Sequence, residues 1–234
     1  MGPVSPGKLP RPAPGAGPAD QYFSVRPTST SRPREVTLTL PDLTLRLRTD
    51  AGVFSSTRVD PGTRLLLGAL PPASEWPDGD VIDVGCGYGP IAVTLAHRAP
   101  ERTVWAVDVN ERARDLCRIN ATAARVADRV RIADPDGVPT DIRFGLVVSN
   151  PPVRIGKAAL HDLCRRWLER LAPGGQAWWV VGKHLGSDSL QSWMTDEGWP
   201  TVRVMSRQSY RILLTTFGPD RPTAAVDPAD DPPR

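Results

Sequence analysis

Asn150-Pro151-Pro152 ends the apolar run Phe144–Ser149 and is the most chemically suggestive stretch of the 234-residue sequence. A side-chain amide oxygen and a neighbouring main-chain carbonyl are two acceptors that one nitrogen can use at once. If the Asn150 oxygen and the Pro151 carbonyl each accept one N–H of an amine whose lone pair is delocalised into a ring or an amide, the nitrogen becomes more sp³-like. Its lone pair is then aimed at an electrophile. Prolines fix the backbone there and bring no N–H of their own to compete. Such a site needs no strong general base.

A second constellation lies upstream, where the apolar run Val81-Ile82-Asp83-Val84 leads into Gly85-Cys86-Gly87-Tyr88-Gly89-Pro90. Alternating glycines let the chain turn sharply and let a ligand approach bare backbone. The dinucleotide fingerprint G-x-G-x-x-G would need glycine at 90, where proline stands, so a nicotinamide cofactor fits poorly. Two further carboxylates end apolar runs: Asp108 after Val104–Val107, and Asp134 after Val130–Ala133. For Asp108 a helix N-cap is a competing role, although Asn110 is the better-placed cap. For Asp134, followed by Pro135 and Gly137, a solvated turn competes equally.

These residues need a scaffold that gathers strand ends. Val36, Leu38 and Leu40, then Leu43, Leu45 and Leu47, alternate around Pro41-Asp42, which predicts a β-hairpin over Glu35 to Arg48. A short helix is predicted from Thr63. From residue 80, apolar runs predict strands at 81–84, 103–107, 130–132, 144–149, 177–181, around 201–205 and at 211–217, with helices near 89–97, 111–126, 157–171 and 187–196. The third helix carries Leu160, Leu163, Cys164, Trp167, Leu168 and Leu171 on one stripe. Alternating strand and helix with short links predicts an α/β fold with an open, doubly wound and mostly parallel sheet. Ligands bind such sheets at the carboxyl ends of the strands, where all the candidate residues sit. The tryptophans Trp105, Trp167, Trp178, Trp179 and Trp193 fall on these elements and read as core.

The loop G-x-G-x-G, with Asp83 two residues before its first glycine, resembles the S-adenosylmethionine loop of class I methyltransferases, and Asn-Pro-Pro is similar to the motif of those that act on exocyclic amines or a glutamine amide. Further stretches resemble the RsmC-like family of small-subunit (16S) ribosomal RNA guanine methyltransferases: Gln21–Ser24 with Pro27, Thr49–Ser55, Val59–Leu66, Asp83–Pro90, Asn150–Lys157, Leu171–Gly175, Lys183–Gly186 and Ser209–Leu213. This resemblance spans about residues 21–217. It implies the seven-stranded, Rossmann-like methyltransferase core behind the N-terminal hairpin, and S-adenosyl-L-methionine as cofactor. By resemblance Asp83 with Gly85, Gly87 and Gly89 holds the methionine end, Asp108 takes the ribose hydroxyls and Asp134 meets the adenine amine. Phe54 and the Asp60-Pro61-Gly62-Thr63 turn line the pocket from the N-terminal side. Asn150, Pro151 and Pro152 form the catalytic set, and Val153, Arg154 and Lys157 face the substrate, which the resemblance makes ribosomal RNA or the small subunit. An aromatic often follows Asn-Pro-Pro; Val153 in its place speaks against adenine and glutamine and leaves Phe54 or another loop aromatic to stack. Other amine acceptors, and a cofactor-binding ribosome assembly factor without turnover, remain the alternatives.

The 40% hydrophobic and 24% charged composition suits a folded chain, and the 26 prolines concentrate at the ends. Residues 1–20 and 218–234 are therefore expected to be disordered, with a 21–70 segment covering the cofactor and a 71–217 core between them. The formal net charge is +3, and the leading segment holds Lys8, Arg11, Arg26, Arg32 and Arg34 against Asp20 alone. Attraction to RNA is thus expected from that arm and from Arg154 and Lys157 rather than from the whole surface. Cys86, Cys117 and Cys164 lack metal-ligand spacing, so no metal is expected. No apolar run is long enough for a membrane span or a signal peptide, so a soluble cytoplasmic protein without membrane contact is expected.

Overall fold

The computed structural model describes residues 29–152 and 155–218; the arm of residues 1–20, the tail beyond Gly218, and Val153 and Arg154 lie outside them. The hairpin is present as β1 (Arg34–Thr39) and β2 (Thr44–Thr49), antiparallel, with Val36 opposite Leu47 and Leu38 opposite Leu45. Helix α1 (Pro61–Ala69) follows. It begins two residues before the expected Thr63, because Asp60 caps it by accepting from Thr63 N and Pro61 supplies a helix-ready φ at its first position.

The rest alternates as expected: β3 (Asp80–Val84), α2 (Pro90–Arg98), β4 (Val104–Val107), α3 (Glu111–Ala123), β5 (Val130–Ala133), β6 (Phe144–Ser149), α4 (Lys157–Leu168), β7 (Leu171–Gly182), α5 (Ser187–Asp196), β8 (Thr201–Arg207) and β9 (Tyr210–Thr216). They build one seven-stranded sheet in the order β5-β4-β3-β6-β7-β9-β8. Pairs from β5 to β7 are parallel, and β9 runs antiparallel to β7 and β8. The order reverses at β3 and β6, so their carboxyl ends flank the crevice where such sheets take ligands. All six residues of β6 are buried, as a central strand covered on both faces requires.

The fourth helix stops at Leu168 rather than 171, and β7 starts at Leu171 rather than 177. The reason is a register break: Phe144 pairs with Leu171, but Leu146 pairs with Gln176, and Gly174 bridges the excursion at φ 75°.

One face of the sheet is covered by α1, α2, α3 and the hairpin, whose Val36, Leu38, Leu40, Leu45 and Leu47 join Leu66, Leu95 and Cys117 in one core. The opposite face is covered by α4 and α5 through Leu160, Cys164, Trp167, Leu190 and Met194. Of the tryptophans read as core, Trp167, Trp178 and Trp179 are buried and Trp105 and Trp193 half-buried. Asn120 of α3 ties the hairpin to the loop after β3. Its Oδ1 accepts from Arg48 N at 2.7 Å, and its Nδ2 donates to Arg48 O at 2.8 Å and Tyr88 O at 2.7 Å.

Candidate active site

A cavity of about 460 Å³ opens at the carboxyl ends of β3, β4, β6 and β7. Its floor is the glycine loop. Gly85, Gly87 and Gly89 have φ of 76°, 54° and 93°, a left-handed path that an L side chain resists. A Cβ on Gly85 or Gly87 would meet nothing within 4 Å, so these two present bare backbone to open space. Gly89 differs, because its Cβ would come within 2.8 Å of Cys117 Sγ; glycine there lets the loop settle on α3.

Asp108 lines the cavity at the tip of β4, with Oδ2 accepting from Gly87 N at 2.9 Å and Oδ1 from Asn110 N at 2.8 Å. Asn110 is the cap of α3, its side chain accepting from Ala113 N, so the cap role set out above falls to Asn110. Burial raises the Asp108 carboxyl above its ordinary value, against the pull of those amide donors.

Asp83 is fully buried and absent from the cavity wall, which Val84 and Gly85 form in front of it. Its Oδ2 accepts from Ala92 N in the first turn of α2 at 2.9 Å, and its Oδ1 has no partner among the described residues. Burial, with the charge of Asp108 adding, pushes this carboxyl up to about 8. Asp134 is exposed and outside the lining. Its Oδ1 accepts from Asp136 N and Gly137 N, both at 2.9 Å, which is the turn that competed with an adenine contact, and Pro135 lines the cavity in its stead.

Asn150, Pro151 and Pro152 follow β6 into the same cavity. Ser149, immediately before them, anchors the strand end to β3 through Oγ–H to Val84 O at 2.7 Å. Asn150 Nδ2 donates to Asp60 Oδ2 and to Thr63 Oγ1, each at 3.0 Å. Among the described residues none donates to Asn150 Oδ1, so the amide keeps its acceptor end available. Thr63 is buried, and Phe54, 52% exposed, sits on the cavity's rim. Lys157 is exposed at the start of α4 and is not part of the lining, while Val153 and Arg154 fall outside the described residues.

Asp60, whose turn the resemblance puts at the pocket, and four residues given no pocket role by motif complete the site. Asp60, Tyr88, Trp167, Leu185 and Tyr210 all line the cavity. Tyr210 Oη lies 3.5 Å from Asp60 Oδ1, and the Tyr88 hydroxyl is buried without a partner among the described residues. Asp60-Pro61-Gly62-Thr63 is readable as a helix start, but that signal says nothing about a second use of the carboxylate.

The family model for the methyltransferase small domain matches residues 44–213, from β2 through the first half of β9. The chain belongs to the methyltransferase small domain family. This small-domain chain is 35% identical over 176 residues to YbxB of Bacillus subtilis, an uncharacterized protein, covering 73% of the chain and 85% of YbxB. It is 34% identical over 152 residues to ribosomal RNA small subunit methyltransferase C of Shewanella amazonensis, covering 63% of the chain and 43% of that enzyme. The chain thus spans less than half the length of that relative. Among solved structures, the T. thermophilus 16S rRNA N2 G1207 methyltransferase (RsmC), in complex with AdoMet and guanosine, superposes with a TM-score of 0.68 at 23% identity, covering 79% of the chain and 50% of RsmC. That similarity shows the methyltransferase fold.

Proposed function

We propose that the protein transfers a methyl group from S-adenosyl-L-methionine to an exocyclic amine, that of guanine in small-subunit ribosomal RNA, and so works in the cytoplasm. The observation that carries this reading is the Asn150 amide, held by its nitrogen end on Asp60 and Thr63 with its oxygen end available in the cavity. The bare backbone at Gly85 and Gly87 and the carboxylate of Asp108 suit a cofactor with a ribose and a methionine end. S-adenosylmethionine, when bound, supplies an electrophilic methyl on a sulfonium.

The chain's own groups do the rest. Gly85 and Gly87 leave room against the loop, and Asp108 accepts hydroxyl protons at the tip of β4. Asn150 Oδ1 and the Pro151 carbonyl take the two N–H groups of the acceptor, which returns lone-pair density to its nitrogen. Phe54 offers the aromatic face that Val153 does not. The apolar wall of Ile91, Leu163, Trp167 and Val180 excludes water, which strengthens both hydrogen bonds. The guanine assignment draws on the RsmC relatives, one of them solved with guanosine, and on a cavity that joins cofactor floor and acceptor motif.

The test is to incubate the protein with methyl-labelled S-adenosylmethionine and, separately, unmodified small subunits, naked ribosomal RNA, DNA and cell extract. Label is expected on guanine of ribosomal RNA, and label confined to protein or small molecules would sink the RNA reading. Asn150→Ala is expected to bind cofactor as the wild type does and to lose methyl transfer; equal turnover in the two would refute the acceptor assignment.

A further inference from the structure

We propose that Asp60 is a positioning residue for the acceptor site: its carboxylate dictates which end of the Asn150 amide faces the cavity. The inference deepens the methyl-transfer reading and rests on it. The two ends of an amide have nearly the same shape and opposite hydrogen-bonding character, and only the oxygen end can accept from an amine. Thr63 Oγ1, 3.0 Å from Asn150 Nδ2, is a hydroxyl that accepts or donates, so it suits either orientation. The carboxylate of Asp60 accepts only. With Oδ2 at 3.0 Å, turning the amide over would set two acceptor oxygens against each other. Asp60 therefore makes the choice, and its negative charge at the nitrogen end draws electron density toward the oxygen end, which strengthens Asn150 as an acceptor.

Asp60 is itself held in place. The same Oδ2 accepts from Thr63 N at 3.0 Å as the cap of α1, and Oδ1 faces Tyr210 Oη at 3.5 Å. Gly62 makes the cluster possible: a Cβ there would come within 2.7 Å of the Tyr210 ring and 2.8 Å of Asp60 Oδ2. Three elements far apart in sequence, the start of α1, the end of β6 and the start of β9, thus converge on one carboxylate.

Two variants separate positioning from capping. Serine at 60 remains a good N-cap, so Asp60→Ser preserves α1, but its shorter hydroxyl no longer dictates the amide orientation. Asp60→Asn keeps an acceptor oxygen at the same reach without the charge. Turnover on unmodified small subunits is measured together with cofactor affinity and with the ¹⁵N–¹H resonances of the Asn150 side-chain amide, assigned by their loss in Asn150→Ala. For Asp60→Ser, kcat and kcat/KM should fall together by about 10- to 100-fold, the usual effect of removing a partner that orients a reacting group, with cofactor affinity within about two-fold. Asp60→Asn should recover most of that loss, and the Asn150 amide resonances should move in Asp60→Ser. Wild-type kcat in Asp60→Ser, unmoved Asn150 resonances, or a rate loss accompanied by an equal loss of cofactor affinity would each overturn the proposal. Moved resonances in a protein whose wild type methylates no acceptor would overturn the methyl-transfer reading and leave the positioning intact.

Discussion

Replacing Asp83 with asparagine should flatten the pH dependence of stability and leave the protein more stable than the wild type at neutral pH. The carboxyl is fully buried, receives one hydrogen bond from Ala92 N at 2.9 Å, and has one oxygen with no partner among the described residues. Burial pushes it up to about 8 from an ordinary 3.8. Between about pH 4 and 8 the folded chain therefore keeps a proton that the unfolded chain gives up, and stability falls as pH rises. The slope is about 1.4 kcal/mol per pH unit, so the step from pH 5 to 7 removes roughly 3 kcal/mol through this one group. Below that window both states are protonated and above it both are ionised, so the slope vanishes at each end. Asparagine keeps an oxygen for Ala92 N and never ionises. The assay is urea unfolding of both cofactor-free proteins at pH 5, 6 and 7, with equal m-values as the check that the denatured states match. The difference in unfolding free energy between the proteins should shift by roughly 3 kcal/mol over that range, in favour of Asp83→Asn. Parallel curves would refute the reasoning, because they would mean that Asp83 is ionised in the folded protein at pH 5.

Asp108→Ala should weaken cofactor binding by about 1–3 kcal/mol by calorimetry, since it removes a charged acceptor and frees Gly87 N, with thermal stability of the free protein much less affected. Gly145→Ala should cost more than about 3 kcal/mol in unfolding free energy, because its Cβ would overlap the main-chain carbonyls of Asp78 and Pro77, which cannot swing aside as a side chain can.

Legibility in the sequence followed the range of the interaction. The hairpin was readable because alternation from Val36 to Leu47 is a local signal, and the two strands meet in the register that puts those residues on the core face. The glycine loop was readable because positive φ at Gly85, Gly87 and Gly89 selects the residue type directly. Asn110 was readable as the cap of α3 for the same local reason. The boundary between α4 and β7 was misplaced because the stripe from Leu160 continues in sequence to Leu171, although the helix ends at Leu168 and Leu171 pairs with Phe144 instead. Asp134 could not be decided, since a strand-end carboxylate before Pro135 serves a ligand or a turn equally well by sequence, and the turn takes its Oδ1.

What the sequence hid were long-range bonds of side chains, some with a local role already complete. Asp60 satisfies the cap of α1, and nothing in its neighbourhood signals a bond to a residue 90 positions away. Asn120 sits in a helix interior, where asparagine is a poor helix former, and its three bonds run to partners 72 and 32 residues distant. The mismatch between residue type and position was the available clue there. For Asp60 no mismatch exists. Its bond to Asn150 comes from the topology, which brings the N-terminal end of α1 against the carboxyl end of β6. One Asp60 oxygen accepts both a helix N–H, from Thr63, and the Nδ2 of Asn150, so the cap of α1 and the Asn150 amide share one carboxylate.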